Sequence, residues 1–85
     1  MARVRMYCTR VGPYCVMATR LLTKKGQEIE KIFVDEDPSL RQRMIQESNG
    51  RTTVPQIFIN DTHIGGYTDM ASLDYNDSLD PLLES

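Results

Sequence analysis

Apolar and polar positions alternate near the start of the chain, where Val4, Met6 and Cys8 are separated by Arg5 and Tyr7. A period of two is that of a short strand, and it stops at Thr9 to Gly12, which reads as a loop. From Pro13 onward Val16, Met17, Ala18, Leu21 and Leu22 recur at helical spacing, with Lys24 and Lys25 in the last turn and Gly26 as the stop. Proline suits a first helical turn, whose N–H has no partner in any case, so the mouth of this helix lies close to Gly12. Ile29 to Val34 reads as a second strand, and one helix between two strands predicts parallel pairing with a right-handed crossover. Asp37-Pro38 is a capping side chain followed by a first-turn proline, and Leu40, Met44 and Ile45 mark the buried stripe of a helix ending near Asn49-Gly50. Gln56 to Ile59 and Thr62 to Ile64 flank Asn60-Asp61, a tight hairpin, although such turns favour glycine second. Gly65-Gly66 ends that hairpin, and Met70, Leu73, Leu79, Leu82 and Leu83 line one or two short terminal helices. The order β-α-β-α-β-β-α predicts an α/β fold with a four-stranded mixed sheet flanked by helices.

Length and composition narrow the possibilities. The 85 residues fit one small domain over 1–85, of a size that buries only about 60% of its unfolded surface. No apolar run approaches the ~20 residues of a membrane-crossing helix. Met1 to Arg5 run directly into the strand pattern, without an export signal, so a cytoplasmic monomer with no membrane contact is expected. The net charge is −2 and basic residues are interspersed with acidic ones, which disfavours a nucleic-acid surface and favours a small ligand or a thiol partner. Cys8 and Cys15 are the only cysteines, too few for a secreted disulfide scaffold, and are therefore candidates for chemistry. With His63 they do not make up a four-ligand zinc set, so no metal is expected, and a lone histidine in a hairpin reads as structural.

Tyr7-Cys8-Thr9-Arg10-Val11-Gly12-Pro13-Tyr14-Cys15 resembles the active-site segment of the bacterial glutaredoxins, in which a Cys-Pro-Tyr-Cys run opens the first helix. Arg51 to Ile59, His63 to Asp69 and Leu79 to Leu83 match the same family, so the resemblance covers almost the whole chain and implies the thioredoxin fold. It implies glutathione-dependent reduction of disulfides and of protein–glutathione mixed disulfides, with glutathione as co-substrate and such proteins as partners. The family's chemistry uses a thiolate that the helix N-terminus stabilises. Gly12 stands where the attacking cysteine is placed, while Cys15 matches the resolving cysteine. The chain is thus expected to keep the fold with the dithiol chemistry disabled or altered, the alternative being a non-catalytic module that binds glutathione or glutathionylated proteins. Cys15 reads either as a partly buried small hydrophobe or as a working nucleophile, and Cys8 as a core residue. A sharper alternative makes Cys8 and Cys15 a replacement redox pair, provided their Cα atoms lie within about 7 Å.

The resemblance also implies a glutathione groove. Thr53-Val54-Pro55 matches a loop in which a cis proline leaves the preceding backbone free to pair with the ligand. Gly66 allows close backbone approach, the N–H groups of Tyr67 and Thr68 meet the γ-glutamyl carboxylate, and Asp69 meets the ammonium. Tyr14 forms a wall. Arg10, beside Thr9 at a position where relatives carry lysine, is assigned to the glycyl carboxylate, with Gln56 and Arg51 as further candidates.

Overall fold

The computed structural model describes residues 2–85. Its elements are β1 (Val4–Cys8), α1 (Pro13–Lys24), β2 (Ile29–Phe33), α2 (Pro38–Glu47), β3 (Gln56–Ile59), β4 (Thr62–Gly65), α3 (Tyr67–Tyr75) and α4 (Leu79–Leu83). The sheet order is β2-β1-β3-β4, with β1 parallel to β2 and antiparallel to β3, and β3 antiparallel to β4. β1 and β3 are therefore central and helices cover both faces, which is why Gln56–Ile59 is buried throughout rather than alternating. The edge strand β2 keeps Glu30 and Lys31 exposed.

Alternation along β1 divides the core. Met6 and Cys8 face Cys15, Ala18 and Leu22 of α1, Met70 of α3 and Leu79 and Leu83 of α4. Tyr7 faces the opposite way, against Met44 of α2 and Phe58 of β3. On that second face the Tyr7 hydroxyl donates to Glu47 Oε1 at 2.6 Å, and Arg5 and Arg43 pair with the same carboxylate. Burial and the neighbouring carboxylate raise the Tyr7 pKa, while the hydrogen bond from Tyr7 lowers that of Glu47.

Local signals explain the element ends. Pro13 follows Gly12, which caps α1 in an extended conformation with φ −168° and offers no side-chain cap. At the other end Lys25 Nζ reaches Asp74 at 2.8 Å and Asp80 at 2.7 Å, tying α1 to the terminal helices. Asp37 Oδ1 accepts from Ser39 N at 2.9 Å and caps α2. The hairpin forms without glycine because Asn60 (φ 50°) and Asp61 (φ 66°) both take the left-handed conformation, which short polar side chains tolerate. Two boundaries differ from expectation, β2 ending at Phe33 and β4 extending to Gly65, while the C-terminus holds two short helices, α3 and α4. Among the described residues no helix is long and apolar enough to cross a membrane.

Candidate functional site

Two features meet at one end of the sheet. The first is the mouth of α1. A Cβ built on Gly12 would lie 3.0 Å from Thr9 Oγ1, 3.5 Å from Cys15 Sγ and 3.8 Å from Cys15 Cβ. Cys15, one turn in, is only 5% exposed, and Cys8 at the end of β1 is buried. Both are free thiols. Desolvation, and then the proximity of Cys15, push the Cys8 pKa up to about 11.

The second feature is a groove of about 370 Å³ beside that mouth, with Tyr14 and Tyr67 on one side, the Thr53–Pro55 loop on another and Asp69 and Arg51 at one end. The Val54–Pro55 peptide is cis. Tyr14 and Tyr67 approach with ring centroids 6.3 Å apart, and Tyr14 remains more than half exposed. At the start of α3, Asp69 Oδ2 accepts from Gly66 N at 2.8 Å and from Arg51 Nη1 at 3.0 Å. The Gly66 N–H first, and Arg51 after it, hold the Asp69 carboxyl below its ordinary range. Gly65 cannot be replaced here: its φ is +114°, and a Cβ would fall 2.5 Å from Asp69 Oδ2 and 2.6 Å from Arg51 Nη1. The first N–H groups of α3 have no carbonyl one turn earlier to bond, so those of Tyr67 and Thr68 are available to an anion.

The structure thus brings Tyr14, Thr53, Val54, Pro55, Gly66, Tyr67, Thr68 and Asp69 to one groove. It does not bring Gln56 or Arg10 there. Gln56 is fully buried: its Nε2 donates to Thr53 O at 3.0 Å and its Oε1 lies 2.8 Å from His63 Nε2, so its amide is spent inside the protein. Arg10 stacks over the Phe33 ring at 4.4 Å and pairs with Glu36, on the β2 side of α1. Arg51 belongs at the Asp69 end of the groove rather than the opposite one. The Arg10–Glu36 and Arg51–Asp69 pairings join residues far apart in sequence, so no local pattern announces them, whereas Gln56 bonds within its own loop and hairpin once β3 buries it. His63 packs on Phe58 at 5.0 Å, and burial lowers its pKa.

A β2-β1-β3-β4 sheet with a helix mouth facing a cis-proline loop defines the thioredoxin-fold class of protein. Comparison with known proteins narrows it. The Glutaredoxin family model matches residues 4–64. Glutaredoxin 3 of Escherichia coli strain K12 is 46% identical over 84 residues, covering 99% of this chain and 100% of that protein. The solution structure of a dithiolic glutaredoxin from Trypanosoma brucei brucei superposes with TM-score 0.86 at 37% identity, over 95% of this chain and 86% of that one. A buckwheat glutaredoxin–glutathione complex superposes with TM-score 0.89, over 98% of this chain and 77% of that one, and at 23% identity shows the shared fold. The chain belongs to the glutaredoxin family, whose chemistry is glutathione-dependent thiol–disulfide exchange.

Proposed function

We propose that this chain is a glutaredoxin that keeps the glutathione groove but has lost the dithiol step there, because Gly12 occupies the position of the attacking sulfur. The observation that carries this reading is the stereochemistry at Gly12. A Cβ there would lie 3.8 Å from that of Cys15, which equals the mean spacing in disulfides, about 3.8 Å. The backbone is thus arranged for a cysteine pair and lacks one sulfur. Cys15 does not take over, since its sulfur does not line the groove.

Binding follows from the charges. Glutathione carries two carboxylates and an ammonium on a peptide-like body. The backbone beside Pro55 accepts that body as a short added strand, and Tyr67 and Thr68 offer N–H groups to the γ-glutamyl carboxylate. In the free protein Arg51 occupies Asp69. The ligand exchanges that internal pair for two external ones, its carboxylate meeting Arg51 and its ammonium meeting Asp69. The buckwheat protein, of the same fold, is known in complex with glutathione.

The same reading takes residues 1–85 as one domain, acting as a cytoplasmic monomer on glutathione and on glutathionylated or disulfide-bonded proteins. Two measurements test it together. Calorimetric titration with reduced glutathione is expected to give one saturable site that Asp69→Asn weakens. Turnover of a glutathione mixed disulfide is expected to be slow and to rise steeply in Gly12→Cys. Equal and substantial turnover by both chains would defeat the reading.

A further inference from the structure

A second opening lies on the other side of α1. It is a cleft of about 270 Å³ between Thr19 and Arg20 of α1 and Lys31 and Phe33 of β2, with Cys8 and Cys15 at its base. It shares no lining residue with the glutathione groove. The thiols belong to one packed cluster, Cys8 as the last residue of β1 and Cys15 in the first turn of α1. Among the described residues neither Arg20 nor Lys31 enters an ion pair, whereas Arg10, also on this cleft, is drawn to Glu36. Two thiols that share one recess beneath two uncompensated cations form an arrangement for an anionic, thiol-reactive ligand.

We infer that Cys8 and Cys15 form a dithiol–disulfide couple that opens into this cleft and is oxidised by small acidic disulfides. The inference goes beyond the groove reading, because it uses neither the groove nor position 12. Cys15 is the first to react, being the more exposed of the two. Its thiolate attacks one sulfur of the incoming disulfide, that S–S bond breaks, one thiolate leaves, and a mixed disulfide remains on Cys15. Cys8 then gives its proton to water and attacks Cys15 Sγ. The second thiolate leaves as the Cys8–Cys15 bond closes. The balance is two electrons and two protons lost by the protein thiols, and one disulfide reduced to two thiols. Lys31 and Arg20 favour the acidic reagent and the thiolates it releases.

The test uses the native chain and dithiobis-nitrobenzoate, an acidic aromatic disulfide. The expected result is release of two chromophores per chain, a product lighter by two hydrogens and free of adduct, and a tryptic fragment of residues 6–10 joined by a disulfide to residues 11–20. A stable adduct on Cys15, or no reaction until the protein is denatured, would overturn the inference. Cys8→Ala, an apolar replacement in the core, is expected to stop at one chromophore with the adduct retained. Lys31→Gln is expected to slow the first step with this reagent about tenfold at low salt, and to leave a neutral dipyridyl disulfide unaffected. If the chain fails this test yet binds glutathione, the cleft proposal falls and the groove reading stands.

Discussion

Replacing Gly12 by cysteine is the most informative perturbation of this protein. The backbone accepts it, because φ −168° is ordinary extended geometry. The one tight neighbour is Thr9 Oγ1 at 3.0 Å, the end of an exchangeable hydroxyl contact to Val11 O. A disulfide from the introduced sulfur to Cys15 would close a loop of about four residues, for which chain entropy gives only about 2 kcal/mol of stabilisation. The larger effect is on reactivity, and two causes compete for it. Lowering a thiol pKa from ~8.5 to ~6 raises the thiolate fraction at neutral pH about thirtyfold, but the accompanying fall in nucleophilicity leaves a net gain of only about twofold. Position decides the outcome: Cys15 sits behind the mouth, 3.5 Å from the missing Cβ and nearly buried. Displacement of a reacting atom by an ångström or more costs on the order of a hundredfold. Turnover of a glutathione mixed disulfide, followed in an assay coupled to glutathione reductase, is therefore expected to rise about a hundredfold in Gly12→Cys. A gain within about threefold would refute the reasoning, since ionisation alone would then account for it.

Further outcomes follow from charges and burial. Asp69→Asn removes the partner of Arg51 and of the ligand ammonium, and calorimetry is expected to show glutathione affinity reduced about tenfold, the scale of one charge-assisted hydrogen bond. Because the folded-state pKa of Asp69 is depressed, its contribution to stability is present above the ordinary carboxylate pKa and lost as pH falls through the lower folded value. Acid unfolding curves of Asp69→Asn should accordingly be flatter in that window. Tyr7→Phe leaves Glu47 without its shortest hydrogen bond and is expected to cost about 1.5 kcal/mol in denaturant titration. In the cleft, the groups around Cys8 are Cys15 from α1, Lys31 from β2 and Asp35 just beyond it, with Lys31 and a backbone hydrogen bond from Ile32 favouring the thiolate. Closure of the Cys8–Cys15 bond should accelerate about tenfold per pH unit from neutrality towards about 11, and a pH-independent rate would exclude Cys8 as the second thiol.

Much of the fold was legible in the residues themselves. Alternation in Val4, Met6 and Cys8, the Asp37-Pro38 cap and the Asn60-Asp61 turn are local devices, and the chain uses each where it occurs. The groove was legible as far as it is built from backbone and from residues adjacent in sequence, namely Thr53 to Pro55 and Gly66 to Asp69. What escaped was decided by burial and by tertiary pairing. Gln56 is as polar as a ligand-binding residue, but β3 is central, so its amide faces Thr53 and His63 inside the protein. Arg10 stands beside the active segment, yet Glu36 and the Phe33 ring attract it to the far side of α1. The Tyr7–Glu47–Arg5 network joins residues far apart in the chain, and no periodicity encodes it.

The extended backbone at Gly12 has an evolutionary consequence. The backbone does not demand glycine at that position, and the one neighbour that an added side chain must displace slightly is the Thr9 hydroxyl. Glycine and cysteine lie one base apart in the genetic code. Where the glycine codon differs from a cysteine codon by that one base, a thiol at the helix mouth is a single mutational event away, with only the Thr9 hydroxyl to move aside.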